Sequence, residues 1–282
     1  MNNYSLPWQI PLRFIRDGIP LIVLPAFVNE HGPLQFIVDT GNATAPFILS
    51  RRMAEMLRIE ANASAEFPTP SVVGLDPTEL LAATADSISV GPIHEKQIRI
   101  AVSKAIDQLS RAIGKEIDGN IGYPFLKDFR ITLDYPRQTL ELSQSKPGAE
   151  DWKGFGFDLG APKPVVLITA EVNDAGPYRF ALDTGASNTI VSQELAQKLA
   201  LKRGSDVPLQ GAGGAASGYL TQLSSLEFGN VSLRAVTVVA ADVFASLRNP
   251  VGGELDGIIG YNVMQQFRVS IDYPMQRLRF AS

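Results

Sequence analysis

The sequence predicts an all-β protein with minor helix, built as two similar lobes. Three observations predict it. The chain repeats itself over most of its length. Each copy reads as short β-type runs broken by turn residues. At the same point of both copies an apolar run stops at Asp-Thr-Gly.

The repeat is found by sliding the chain along itself. At a shift of 144, Val28, Asn29, Gly32, Pro33, Phe36, Asp39, Thr40 and Gly41 meet Val172, Asn173, Gly176, Pro177, Phe180, Asp183, Thr184 and Gly185. At 142, Ile48, Ser50, Ala54 and Leu57 meet Ile190, Ser192, Ala196 and Leu199. At 138, Asp118-Gly119 meets Asp256-Gly257, Ile121-Gly122-Tyr123 meets Ile259-Gly260-Tyr261, and Asp134-Tyr135-Pro136 meets Asp272-Tyr273-Pro274. The falling shift means that the second copy lacks a few loop residues of the first. The expected organisation is one lobe over 1–145, a linker rich in Gly, Pro and charge over 146–163, and a second lobe over 164–282. Trp152 and Phe155 suggest a linker that packs on something.

Within each copy the elements follow in order. "PLIVLPAFV" and "PVVLITAEV" are strands, each followed by a polar turn (Asn29 to Pro33, Asn173 to Pro177) and by the strand that enters Asp-Thr-Gly. "LSRRMAEMLRI" and "VSQELAQKLAL" are short helices with Ser50 and Ser192 as N-caps. "SISVGPIHEKQIRIAV" and "SLEFGNVSLRAVTVV" are hairpins turning at Gly91-Pro92 and Gly229-Asn230. "FRITLDYPRQTLEL" and "FRVSIDYPMQRLRF" close each half as a further hairpin turned at Tyr-Pro.

Composition narrows the chemistry. The chain has 282 residues, 25 basic against 29 acidic, no cysteine and two histidines, His31 and His94. With no basic run, a nucleic-acid partner is not expected. Without Cys there is no disulfide or thiolate zinc site, and two histidines leave almost no material for a Ser-His hydrolase or a histidine metal cluster; neither metal nor cofactor is expected. The longest apolar stretch, Ile19 to Val28, is broken by Pro20 and Pro25 and is too short to span a bilayer. "MNNYSLPWQI" lacks the features of a signal peptide, so the expectation is a cytoplasmic protein, or a periplasmic or secreted one whose leader has been removed.

One Asp-Thr-Gly is ordinary turn chemistry, because Asp bonds its own backbone and Gly accepts positive φ. Two copies at equivalent points of a duplicated fold imply more: if the lobes pack about a twofold axis, Asp39 and Asp183 face each other. Paired carboxylates a few Å apart do not both ionise readily, so they share a proton and hold a water between them. The ionised member then takes a proton from the attacking water while the protonated member supports the oxyanion.

The two Asp-Thr-Gly segments, with "IDGNIGY" and "LDGIIGY" later in each half, resemble those of pepsin- and retropepsin-type aspartic proteases. The resemblance runs from about Ile19 to Phe280, and its short lobes look more retropepsin-like than pepsin-like. It implies two acid-protease β-barrel lobes related by a pseudo-twofold axis in one polypeptide, and the shared-proton behaviour above is that family's. It further implies that Asp39 and Asp183 are the catalytic pair, that Thr40 and Thr184 bond the opposite loop, and that Gly41 and Gly185 permit close approach. Ala186 is a usual neighbour, whereas Asn42, at the matching place in lobe one, is expected either to bond the outer oxygen of Asp39 or to crowd the site. An apolar-apolar-Gly segment is implied behind each loop; Ile258-Ile259-Gly260 fits, and Asn120-Ile121-Gly122 departs at its first position.

The family also implies a flap. "LQGAGGAASGYL", with Gly211, Gly213, Gly214 and Tyr219, stands at the right place in lobe two, and its bland reading is a surface hairpin. "PTPSVVGLDPTELLA" is the stiffer counterpart in lobe one. Gly211 to Ala216 formally fits a dinucleotide-binding pattern but lacks the strand-turn-helix setting. His31 and His94 are expected on the surface, Asp118 and Asp256 as turn acids, and Arg130 and Arg268 as partners of the Asp-Tyr-Pro acids within each lobe. The leading functional expectation is an aspartic endopeptidase, monomeric, acting on a peptide or protein between the lobes. The competing one, motivated by Asn42 and Asn120, is a peptide- or ligand-binding protein that keeps the fold without turnover.

Overall fold

The computed structural model describes residues 8–11, 13–15, 21–67, 80–145, 154–211 and 214–282. In the first half the elements are β1 (Trp8–Pro11), β2 (Arg13–Ile15), β3 (Leu21–Val28), β4 (His31–Val38), β5 (Phe47–Ser50), α1 (Arg51–Met56), β6 (Ala61–Ala63), β7 (Leu81–Val90), β8 (Ile93–Ser103), α2 (Lys104–Ile113), β9 (Gly119–Ile121), α3 (Tyr123–Leu126), β10 (Arg130–Asp134) and β11 (Thr139–Ser143). The second half runs β12 (Phe155–Gly156), β13 (Asp158–Leu159), β14 (Val166–Val172), β15 (Ala175–Leu182), β16 (Ile190–Ser192), α4 (Gln193–Lys198), β17 (Asp206–Gly211), β18 (Gly214–Phe228), β19 (Val231–Ala241), α5 (Ala245–Val251), β20 (Gly257–Ile259), α6 (Tyr261–Met264), β21 (Arg268–Asp272) and β22 (Arg277–Ala281).

The same strand order is found in both lobes. One eight-stranded sheet is β2-β3-β4-β9-β5-β8-β7-β6 and the other is β13-β14-β15-β20-β16-β19-β18-β17. In each, a three-residue strand, β9 or β20, is wedged between the strand that enters Asp-Thr-Gly and the strand that leaves it, parallel to the first and antiparallel to the second. Strands buried on both faces read as nearly continuous apolar runs, which is why β3 shows no alternation.

The turns between β3 and β4 and between β14 and β15 are tighter than the sequence suggested. Asn29-Glu30 and Asn173-Asp174 hold positive φ (48° and 65°; 53° and 60°), and the strand resumes at once, at His31 and Ala175. Two positive φ values give the two-residue turn whose twist matches the flanking strands, and Asn tolerates that backbone. The side-chain oxygen of Asn29 accepts from Ser87 N, and that of Asn173 from Ser224 N and Ser225 N.

Helices α1 and α4 lie where expected, with Ser50 and Ser192 accepting from Met53 N and Leu195 N. Helices α2 and α5 were not anticipated. Helix α2 opens at Ser103, whose hydroxyl accepts from Ala105 N, and closes at Gly114 with φ 63°. Its Ile106 and Leu109 pack on Leu21, Val23 and Ile37. The cap, the closing glycine and the 3.6-residue spacing were all in the sequence, hidden behind a strand-like run that ends only at Ser103.

The closing hairpins correct the sequence reading. They do not stay within their lobes but join in one six-stranded sheet, β1-β11-β10-β21-β22-β12. Strands β10 and β21 pair antiparallel across the two halves, with Thr132 opposite Ser270 at the centre and their hydroxyls 2.8 Å apart. These two residues are equivalent under the repeat, so the pseudo-twofold axis passes between them. Arg130 therefore meets Asp272 of the other half at 2.8 Å, and Arg268 approaches Asp134 at 3.8 Å; the expected pairs are cross-lobe. Tyr123 packs edge-on against Tyr273 and Tyr135 against Tyr261, again across the axis. Phe155, in the segment expected to link the halves, contacts Phe228 and Phe280, and β12 and β13 pair with β22 and β14. Trp152 lies outside the described residues.

Asp118 and Asp256 do more than turn the chain. Asp118 is buried; its carboxylate accepts from Gln35 N at 2.8 Å and from Arg52 at 2.6 Å, and Asp256 accepts from Arg179 N at 2.8 Å. Each acid thus ties the strand entering Asp-Thr-Gly to the wedged strand beside it. Burial raises the Asp118 pKa against the opposing pull of the Gln35 N–H and Arg52. His31 and His94 are exposed, bonded locally to Asn29 O and Ser89 Oγ.

Candidate active site

The two Asp-Thr-Gly loops meet at the axis. Each Asp is anchored through its backbone: Asp39 N donates to Ile121 O at 3.0 Å and Asp183 N to Ile259 O at 3.1 Å, so the wedged strands aim both side chains. The threonines cross over. Thr40 N donates to Thr184 Oγ1 and Thr184 N to Thr40 Oγ1, both at 3.1 Å. Their hydroxyls donate onward to the backbone of the opposite loop, Thr40 to Leu182 O at 3.1 Å and Thr184 to Val38 O at 2.7 Å. Both threonines are buried, so all four bonds are sheltered from water.

Gly41 and Gly185 are required by that closeness. A Cβ on Gly41 would fall 2.6 Å from Asp183 Oδ2, and one on Gly185 2.9 Å from Asp39 Oδ1. Each glycine faces the carboxyl of the opposite lobe. Gly122 and Gly260, at the ends of the wedged strands, pack so tightly on the loops that a Cβ there would overlap Asn42 and Ala45 O, or Asn188 O.

The two carboxyls lie against the glycines of the opposite loops, next to each other at the axis, and both are only partly buried. Asp39 Oδ1 accepts from Gly41 N at 2.8 Å and Asn42 N at 3.0 Å, while Oδ2 accepts from Asn120 Nδ2 at 2.6 Å. Asp183 Oδ1 accepts from Gly185 N at 2.8 Å. The Asp183 carboxyl is pushed up to about 7, first by burial, then by the charge of Asp39 and the bond shared with it; Gly185 N–H and the cation of Lys163 oppose.

Asn42 does not occupy either place expected for it. Its side-chain amide does not bond Asp39 and does not crowd the loop; it turns inward and donates to Asn120 Oδ1 at 2.7 Å. The side chain that reaches the outer oxygen of Asp39 is Asn120, which the sequence marked only as a departure from an apolar pattern. Ala186, the counterpart of Asn42, accepts through its backbone from Tyr261 N at 2.8 Å, as Asn42 O does from Tyr123 N.

Lys163 was missed. It stands on the segment between the halves, and its ammonium feels both Asp39 and Asp183, although burial still sets its pKa below the ordinary lysine value. Its lone charge among "GAPKP" carries no motif, so nothing in the sequence pointed to it.

The flap residues are partly described. β17 and β18 form a long hairpin in which Gly211 pairs with Gly214; Gly213 and most of the lobe-one counterpart lie outside the described residues. Strand β17 passes close to α2 of the other lobe. Tyr219 is not at the tip. It is buried at the hairpin base under the Arg203 guanidinium, 4.3 Å from the ring centroid. A pocket of about 460 Å³ in lobe one, lined among others by Asn29, Arg58, Asn62 and Arg99, includes no residue of either Asp loop.

Two β lobes of one topology, joined by a shared sheet and apposing two carboxyls at their axis, define the architecture of an acid protease. A family model described as aspartyl protease matches residues 24–125 and again residues 168–263, and the chain belongs to that family as a two-lobed, retropepsin-like member. The two matched regions are the two copies of the repeat. No curated protein matches the chain.

Proposed function

We propose that the protein is an aspartic endopeptidase that hydrolyses peptide bonds with a water held between Asp39 and Asp183. The observation that carries this reading is the apposition of two partly exposed carboxyls, each aimed by its own lobe and each lying against the glycine of the opposite loop. One carboxylate removes a proton from the water as its oxygen bonds to the carbonyl carbon. The other carboxyl delivers its proton to the carbonyl oxygen. The resulting tetrahedral diol collapses as its C–N bond breaks: the amine nitrogen takes the proton held by the pair, and a diol hydroxyl returns its proton to the pair as the product carboxyl forms. Thr40 and Thr184 hold the carboxyls in register, Gly41 and Gly185 admit the approach, and the β17–β18 hairpin is the candidate cover over an extended peptide. Both loops come from one chain, so a monomer suffices.

The asparagines that motivated a binding-only reading support turnover instead, because Asn42 holds Asn120 and Asn120 donates to Asp39. The test is a peptide library incubated with pure protein from acidic to neutral pH. Cleavage in the native protein should fall by about a hundred- to ten-thousandfold in both Asp39→Asn and Asp183→Asn. Turnover surviving either change rules out a shared pair, and peptide binding without cleavage in the native protein establishes the binding-only alternative.

A further inference from the structure

The lobes are copies, yet the surroundings of the two carboxyls differ, and two of the differences bear on their hydrogen bonds. Where lobe two has Ala186 and Ile258, lobe one has Asn42 and Asn120. Both asparagines are buried, at 8% and 4% exposure, where an amide without partners would be costly. They are bonded to each other and then to Asp39.

The direction of this chain is set by the backbone. Thr44 N and Ala45 N can only donate, and both point at Asn42 Oδ1, at 3.0 and 3.4 Å. That leaves Asn42 Nδ2 to donate, to Ala45 O at 3.2 Å and to Asn120 Oδ1 at 2.7 Å. Asn120 has then used its oxygen as an acceptor, so the group it presents to Asp39 is its N–H. With Gly41 N and Asn42 N, the Asp39 carboxyl receives three donors, one of them from a side chain. Each favours the charged form. The lobe-two residues Ala186 and Ile258 have no side-chain donor to offer.

We infer that Asn120, held in one orientation by Asn42, is a positioning residue that keeps Asp39 the ionised member of the pair and leaves the shared proton on Asp183. Its consequence for turnover rests on the reading of the site as hydrolytic; its electrostatic content does not. In the hydrolysis, Asp39 takes the proton from water and Asp183 gives its proton to the carbonyl oxygen. Among the other charged or titratable groups facing the pair, Lys163 attracts both carboxylates, Asp39 the more strongly, and so favours the same choice. Tyr135 and Tyr273 are buried, which raises their phenol pKa values, so they stay neutral from acid to neutral pH.

The experiment compares the native protein with Asn120→Leu, which is similar in size and restores lobe-two chemistry, and with Asn42→Ala, which leaves Asn120 present but unheld. Carbon-13 NMR of labelled aspartate carboxyls follows each titration, with Asp39→Asn and Asp183→Asn assigning the signals. In the native protein Asp39 should ionise first. In Asn120→Leu its ionisation should move to higher pH by about one unit, since the lost donor favoured the charged form, and Asn42→Ala should move it the same way by less. If peptides are cleaved, the acid limb of kcat/KM should move with it, about a tenfold loss at a pH on that limb, with the alkaline limb little changed. An unmoved Asp39 titration in either folded variant, or a native protein in which Asp183 ionises first, overturns the inference. Because the titration needs no turnover, a protein that cleaves nothing would sink the hydrolytic reading while leaving this one to be decided.

Discussion

At the residue scale, Asp183 concentrates what the site asks of the chain. A partly buried carboxyl beside a second one has its proton affinity raised, here to about 7. Its unfolded value is near 4, so between about pH 4 and pH 7 the folded protein holds a proton that the unfolded chain has released. Stability must then fall as pH rises through that window, by up to about 4 kcal/mol. Asp183→Asn removes this titration: its stability should be flatter from pH 4 to 7 and higher than the native protein's at pH 8. Denaturant unfolding at a series of pH values checks this, and parallel curves for the two proteins would refute it. The neighbouring threonines show how the same point is held, since a short β-branched hydroxyl both donates to and accepts from the opposite loop.

At the element scale, the β10–β21 pairing turns two lobes into one body. The repeat supplies an internal control, because the two cross-axis ion pairs are equivalent in sequence and unequal in burial. Asp272 has a side-chain exposure of 1% and receives two guanidinium nitrogens of Arg130, at 2.8 Å. Arg268, 46% exposed, stands 3.8 Å from Asp134. Arg130→Leu leaves a buried carboxylate short of its cation and should cost about 3 kcal/mol. Arg268→Leu should cost less than about 1 kcal/mol. Chemical denaturation of both variants at neutral pH tests the difference, and equal losses would mean that burial does not govern these pairs. The expectation of within-lobe pairs failed because sequence reports which residues match, not which copy's strand lies alongside.

At the scale of the whole molecule, duplication in one chain removes the need for a second subunit. Specific activity should therefore stay constant on dilution from micromolar to nanomolar protein, measured as initial rate per mole of chain; a fall on dilution would show that the working unit is an association of chains. Fusion also lets the halves diverge. A site made from two identical chains must surround both carboxyls alike, whereas here Asn42 and Asn120 sit on one side and Ala186 and Ile258 on the other.

The order of residues by itself determined the repeat, the β character, the two short capped helices and the pair of Asp-Thr-Gly turns, because each depends on local backbone preference or on identity between copies. Helix α2 was legible too, from Ser103, Gly114 and its apolar spacing, but the preceding strand pattern masked it. It took the folded chain to show that the closing hairpins pair with each other, that Tyr219 is core, that Lys163 feels both acids, and that Asn120 rather than Asn42 reaches Asp39. Those are contacts between residues far apart in the chain, with directions set by packing and by which backbone N–H groups are free to donate. Local sequence carries neither.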